Sequence, residues 1–384
     1  MTHVLTIVAV VAPREGGGNA ERAVQLTRAF ARLGLRSTLL TLAIGDWQAR
    51  IAQVDAGRVI AVPCLMTRFQ IPSLRWSMLR KLVREADIIH MVGYWSLLQV
   101  LIAFIAYIEN VPWVICPAGA LPMFGRSKFF KHLFNAFFGY RLVRRAAGWI
   151  AITRDEVADF VDYGVHADNV EIIPNGVDAD GLPVTTGLNF RAQFGLPAQP
   201  FILFMGRLNP IKGPDLLLEA FITITDNYAD VHLVFAGPDG GMQDGLTARA
   251  QKAGVRERVH FIGFVSGANK SQAYREAMIL AVPSRSEAMS IVAVEAGLCG
   301  TPILMTDRCG LHELDEVDKH LTVPATAQGL AFGLNYAFTD QQRLAVKGQQ
   351  WQAIVLERFL WKNIAAHMAN WLTIIVSTRQ SFMR

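Results

Sequence analysis

The chain has 384 residues, 52% of them hydrophobic and 18% charged, with a net charge of +5. That composition excludes a disordered chain and is enough for two domains with sizeable cores. The positive surplus is too small to argue for a nucleic-acid partner, so its distribution matters more than its size.

Val4 to Val11 reads as a first, fully buried strand rather than a signal peptide, since no basic start or small-residue cleavage site accompanies it. Pro13 to Gly18 follows, and a helix is expected from about Asn19, with Ala23, Leu26, Phe30 and Leu33 on one face. Strand, glycine turn and helix start make a weak phosphate-loop signal, and a plain tight turn fits equally. Strands are expected at 37–43, 59–62 and 87–91, and a helix at 74–84. His90 is expected at the end of its strand, where open parallel sheets place ligands. The alternative is a half-buried histidine bonded to backbone. Leu97 to Ile108 is apolar but too short to cross a bilayer, and reads as a buried helix. Another strand, 112–116, leads to Pro117-Ala118-Gly119.

Residues 125–147 interleave Arg126, Lys128, Lys131, His132, Arg141, Arg144 and Arg145 with six phenylalanines and tyrosines and with Leu133. A basic helix rich in aromatics suits an anionic membrane surface. A helix that buries those rings in its own domain is the competing reading. Pro174-Asn175-Gly176-Val177-Asp178 makes a tight turn, and 179–200 reads as linker. Asp178-Ala179-Asp180 is formally a DxD triplet, but it sits in a turn and reads as a cap rather than a metal site. The cysteines, Cys64, Cys116, Cys299 and Cys309, form no CxxC pair and read as reduced core residues of a cytosolic protein.

The second half starts with the core strand Phe201–Met205, then Gly206-Arg207-Leu208-Asn209-Pro210-Ile211-Lys212-Gly213 and a helix from about Pro214. Two cations at a strand end facing a helix start are what a diphosphate requires. Strands follow at 231–236, before Gly237-Pro238-Asp239-Gly240, and at 259–262, before Gly263-Phe264-Val265. A further strand, 279–282, leads through Ser284-Arg285-Ser286-Glu287 to a helix opened by Ser290 and stopped by Gly300 and Pro302. The first N–H groups of that helix, at Ser290, Ile291 and Val292, have no intrahelical partner and favour an anion. Glu287 and Glu295 bracket the spot. Carboxylates beside an anion site suit a phosphorylated molecule that also carries hydroxyls.

The loop with Arg207 and Lys212, the Glu287–Glu295 pair before Gly-Thr-Pro, and Pro-Asn-Gly-Val-Asp at 174–178 together resemble the family 4 retaining glycosyltransferases, also described as glycosyl transferases group 1. The resemblance spans nearly the whole chain and is specific in the second half. It implies the GT-B fold: two doubly wound, Rossmann-like α/β domains facing across a cleft. It also implies an acceptor-binding domain at 1–178, with a terminal helix from about 357 to 384 packing back on it, and a nucleotide-sugar-binding domain at 201–356. The implied reaction moves a sugar from a nucleoside diphosphate to an acceptor hydroxyl with retention, in polysaccharide, lipopolysaccharide or lipid-linked glycan synthesis. By resemblance Arg207 and Lys212 hold the diphosphate, Glu287 the donor sugar and Glu295 the ribose. Phe264 and Val265 lie by the base, with backbone doing the reading, and Gly17 and Gly18 face donor phosphate or acceptor. His90 keeps the first histidine of a His-x-His-Gly pattern, with Val92 at the second. Relatives carry His or Arg where this chain has Ala118, and Gly-Phe where it has Ala288-Met289.

No metal or other cofactor is implied, because the cations and the helix start take up the leaving-group charge. The expected partners are the nucleotide sugar, a glycan or lipid-linked acceptor and, through 125–147, the inner face of a membrane. A sugar-nucleotide epimerase or inverting transferase would need a base in the first domain, for which His90 is the candidate. A non-catalytic nucleotide-sugar-binding protein is the other alternative.

Overall fold

The computed structural model describes residues 2–51, 54, 57–122, 128–184 and 189–382. The chain forms two compact units: residues 1–175 with the returning helix Trp361–Phe382, and residues 176–360.

The first unit is built on β1 (His3–Val8), β2 (Arg36–Ala43), β3 (Arg58–Met66), β4 (Ile71–Pro72), β5 (Ile88–Val92), β6 (Trp113–Cys116), β7 (Gly148–Ala151) and β8 (Val170–Ile172). They lie in the order β4-β3-β2-β1-β5-β6-β7-β8, parallel except for the β3–β4 pair. A parallel sheet needs helices on both faces, which is why β1 is buried along its whole length. Leu5, Ile7, Leu40, Met91 and Ile115 form the core under one face. Val8, Val24, Leu39 and Val92 form that under the other. The returning helix packs Trp371 so closely that a Cβ on Gly148 would come within 2.6 Å of its ring. Helix Leu97–Glu109 is only half buried: Ile102, Ile105 and Ala106 face the core, while Phe104 and Tyr107 are more than half exposed.

The second unit holds β9 (Phe201–Met205), β10 (His232–Ala236), β11 (Val259–Gly263), β12 (Ile279–Val282), β13 (Ile303–Thr306) and β14 (Thr322–Val323). All are parallel, in the order β11-β10-β9-β12-β13-β14. Both sheets are therefore doubly wound, each with one point where the strand order reverses: between β1 and β5, and between β9 and β12. Residues 179–200, read from sequence as linker, contribute a 3-10 turn and the short helix Phe190–Phe194.

Two further expectations change. His90 is not at a strand end. It sits in mid-β5 between Thr6 and Val114, fully buried, and neither ring nitrogen has a partner among the described residues. β5 runs two residues beyond His90, to Val92, so His90 is a sheet residue and not a base open to substrate. Cys64 is only partly buried, unlike the other three cysteines. Asp178 accepts from the Asp180 N–H at 3.2 Å and caps the 3-10 turn. Among the described residues no cluster of three metal-ligating side chains exists, and no helix is long and apolar enough to cross a membrane. The start of the basic stretch, 125–127, lies outside the described residues.

Burial, with the Arg22 charge nearby, pushes the His90 pKa well below its usual value. The folded state thus resists a proton that the unfolded chain accepts near pH ~6.5. Unfolding then takes up a proton below that pH, so this contribution is present above it and lost as pH falls. His90→Leu should flatten the acid limb of stability by up to ~1.4 kcal/mol per pH unit. Urea unfolding between pH 5 and 7 checks this, and an unchanged slope would contradict it.

Candidate active site

The loops after β9 and β12 flank the reversal point of the second sheet, and they are joined. Gly213 has φ +67°, and a Cβ there would lie 2.1 Å from the Pro283 carbonyl oxygen. Only glycine permits both that conformation and that approach. The Arg285 N–H donates to the Ile211 carbonyl at 2.8 Å. Its guanidinium donates to the Pro210 carbonyl and to both Asp215 oxygens, at 2.7, 2.9 and 2.5 Å. That fork holds the Asp215 carboxyl below its usual range. At the end of β10, a Cβ on Gly237 would fall 1.9 Å from the Gly206 carbonyl oxygen, so neighbouring strand ends also touch through backbone.

Within this frame Lys212 Nζ lies 2.7 Å from Glu287 Oε1, on a carboxylate whose side chain is only 7% exposed. The Ser284 hydroxyl donates to the same oxygen, and the Glu287 N–H donates to the Arg308 carbonyl at 2.8 Å. Oε2 has no partner among the described residues. Ser290 holds the N-cap position of helix Ile291–Leu298 and is fully buried; its N–H donates to the Cys309 carbonyl at 3.0 Å, while its hydroxyl has no partner among the described residues. The N–H groups of Ile291 and Val292 open this helix. Burial, then the Glu287 charge, pushes the neighbouring Cys309 thiol up to about 12. Arg207 is exposed, with no ion pair or hydrogen bond among the described residues.

Glu295, in the same helix, is already engaged. Lys270 Nζ reaches its Oε1 at 2.6 Å, and the buried Tyr274 hydroxyl donates to its Oε2 at 2.8 Å. Burial, then Glu295, raises the Tyr274 pKa well above its usual value, so it stays a donor. Neither partner was foreseen from the sequence. A carboxylate has about four lone-pair sites, so capacity remains for a further donor. After β11, Phe264 is 74% exposed while Val265 is 4% exposed. Of the pair, only the Phe264 ring is open to a ligand.

Gly17 and Gly18 belong to the first unit. Gly17, at φ +55°, interrupts helix Pro13–Arg32 near the reversal point of that sheet. A pocket of about 200 Å³ lies there, bordered by Val10, Gly16, Asn19, Gly93, Ser96 and Gln99. The Ser96 hydroxyl and Gln99 Oε1 are buried without partners among the described residues. Two further residues missed from sequence support this end of the sheet. Glu156 accepts from the N–H groups of Gly119 and Ile152 at 2.6 and 2.8 Å, and burial raises its pKa. Arg22, 1% exposed, donates to the Ile173 and Pro174 carbonyls and to Asn175 Oδ1 at 2.8–3.0 Å. The signal for Arg22 was its place one turn before Leu26 and two before Phe30, beside Ala23 on the apolar face of the helix.

Family models match both halves: the glycosyl transferase 4-like domain over residues 17–176 and glycosyl transferases group 1 over 188–351. The chain is a group 1 glycosyltransferase. This glycosyltransferase is 28% identical to a D-inositol 3-phosphate glycosyltransferase of Xylanimonas cellulosilytica, over 92% of its own length and 91% of that protein's. A protein of the same name from Mycolicibacterium gilvum is 29% identical over 77% and 71% of the two lengths. Among solved structures, HepE of Anabaena in complex with UDP and glucose superposes with a TM-score of 0.76 at 22% identity, covering 97% of this chain and all of that one. WaaG, a glycosyltransferase involved in lipopolysaccharide biosynthesis, gives 0.64 at 20% identity, covering 95% and 98%. The shared fold is GT-B, with its two Rossmann-like domains.

Proposed function

We propose that this glycosyltransferase moves a sugar from a nucleoside diphosphate to an acceptor hydroxyl, with retention at the anomeric carbon. The reading rests on one observation: Lys212 and Glu287 meet 2.7 Å apart at the reversal point of the second sheet, beside a helix start and a buried, unpartnered Ser290 hydroxyl. As the bond from the anomeric carbon to the diphosphate oxygen breaks, that oxygen gains negative charge. Arg207, Lys212 and the N–H groups of Ile291 and Val292 stabilise it, and they bind the transition state more tightly than the ground state. The acceptor oxygen bonds to the anomeric carbon on the same face, and its proton passes to the departing phosphate oxygen. Glu287 Oε2 accepts from a donor-sugar hydroxyl, Glu295 shares a lone pair with the ribose, and the Phe264 ring lies under the base. No step is routed through a metal.

Acceptor hydroxyls are read in the first-unit pocket by Ser96 and Gln99. HepE is bound to UDP-glucose in a solved complex, so UDP-sugars are the first donors to test. For the acceptor, the exposed Phe129, Phe130, Phe137 and Phe138 among basic residues favour a lipid-linked glycan at an anionic membrane. The curated relatives' name points instead to a phosphorylated polyol. Nucleotide release measured over UDP-, GDP- and ADP-sugars, with each acceptor class and with the product anomer assigned by NMR, tests the proposal. Release with a retained anomer supports it. An inverted anomer, an epimerised donor or no release from any donor contradicts it.

A further inference from the structure

Helix Leu97–Glu109 and the helical stretch from Lys128 to Arg144 enclose a groove of about 430 Å³ in the first unit. Val100, Leu101 and Phe104 form one wall, Phe138 and Leu142 the other, and Trp113 the floor. The size suits a small ligand, but the lining offers a sugar or nucleotide almost nothing to hydrogen-bond; it matches hydrocarbon.

The rings are outside because the inward face is committed. The stretch passes through a π-turn, Asn135–Gly139, a feature that often marks functional sites. Buried Asn135 accepts from the Tyr94 hydroxyl and donates to the Tyr163 oxygen, both at 2.7 Å. A Cβ on Gly139 would lie 2.2 Å from both Asn135 Oδ1 and the Tyr94 oxygen, so glycine seats this network. Phe137 and Phe138 are left 56% and 43% exposed.

The rim is cationic. Arg141 and Arg145 border the groove; the Arg145 guanidinium lies 4.8 Å from the centre of the Tyr107 ring, and Arg141 donates to the Phe137 carbonyl at 2.9 Å. No acidic residue occurs between Glu109 and Asp155, and Glu109 itself is held by Arg80 and Arg84. An apolar slot under a rim of arginines complements a chain that ends in an anionic head group.

We propose that this groove seats one hydrocarbon chain of an anionic membrane phospholipid, with its phosphate against Arg141 and Arg145. This deepens the membrane contact proposed above and rests on it. Basic charge alone is a weak anchor, whereas charge combined with apolar contact at the acyl boundary holds a protein at a surface.

The test titrates the full chain with monomeric lysophosphatidylglycerol, below its micelle concentration, in parallel with lysophosphatidylcholine and glycerol phosphate. Flotation on vesicles with and without phosphatidylglycerol runs alongside. Saturable one-to-one binding is expected, at least tenfold tighter for the anionic lipid than for the choline lipid. Val100→Trp, which fills the groove, should weaken it at least tenfold. Arg141→Glu with Arg145→Glu should erase the head-group preference. Leu101→Phe is the second filling variant, and thermal unfolding checks that each variant folds. Vesicle binding without saturable monomer binding would overturn the groove but keep the surface contact, and failure of both would remove the contact as well. Equal binding of glycerol phosphate would mean a free-phosphate site, and a dimer dispersed by Val100→Trp would mean a second copy in the groove. Either overturns the proposal. Nucleotide release is measured separately, so loss of lipid binding is not confused with loss of the transferase reading.

Discussion

Lys212→Ala is expected to lower sugar transfer by about a hundred- to a thousandfold, the effect of removing one preorganised charge from a developing oxyanion. The ammonium is placed by backbone: its N–H donates to the Asn209 side chain and carbonyl, at 3.0 and 3.1 Å, and Gly213 holds the next turn against Pro283. The side chain is one-third exposed, so its loss leaves no buried void, but it strands the 7% exposed Glu287 carboxylate without its cation, and some loss of stability is expected. Turnover measured where the variant is folded falls, and the kcat fall exceeds any change in KM, because the contact strengthens as the leaving group departs. Lys212→Arg keeps the charge but not its point geometry and should recover part of the loss. A Lys212→Ala enzyme within threefold of wild type would remove this residue from the mechanism.

Arg22→Met is expected to be the most damaging substitution for folding. The guanidinium is 1% exposed and supplies donors to three acceptors in the 173–175 segment, where the chain leaves the first unit. Methionine fills much of the volume but donates nothing. The Ile173 and Pro174 carbonyls and Asn175 Oδ1 then lose these partners in a buried setting, at about 1–3 kcal/mol each, partly relieved by relaxation. A net loss of about 3–5 kcal/mol follows, as when a buried charged partner is removed. Chemical denaturation measures it. A loss under about 1 kcal/mol would mean that water or a local shift satisfies these groups.

Much of this was legible in the sequence because it rests on local rules. Apolar runs of about five residues bounded by turn signals, such as Phe201–Met205, fit buried strands by their length, and their alternation with helical patterns gives a parallel sheet. Lys212 and Glu287 could be named because strand-end loops carry ligands in such sheets, and the structure does bring these two together. What was not legible depends on distant packing. The sequence of β5 does not say which of its residues the sheet buries, and with Met91 and Val92 still in the strand His90 lies in the sheet interior rather than at an open end. Lys270 and Tyr274 reach Glu295 from another helix, a pairing that no spacing rule reveals. Arg22 finds its acceptors about 150 residues away. The basic aromatic stretch was ambiguous because periodicity shows one apolar face and not two; Asn135 and Gly139 settle which side faces in.

Calorimetric titration of UDP, GDP and ADP into the wild type, Arg207→Ala and Lys212→Ala tests the diphosphate site most directly, since it needs neither acceptor nor turnover. At least one nucleotide should bind the wild type saturably, and each substitution should weaken it about tenfold or more, as loss of a charged hydrogen bond does. Equal affinity in all three proteins would place the diphosphate elsewhere and contradict the account.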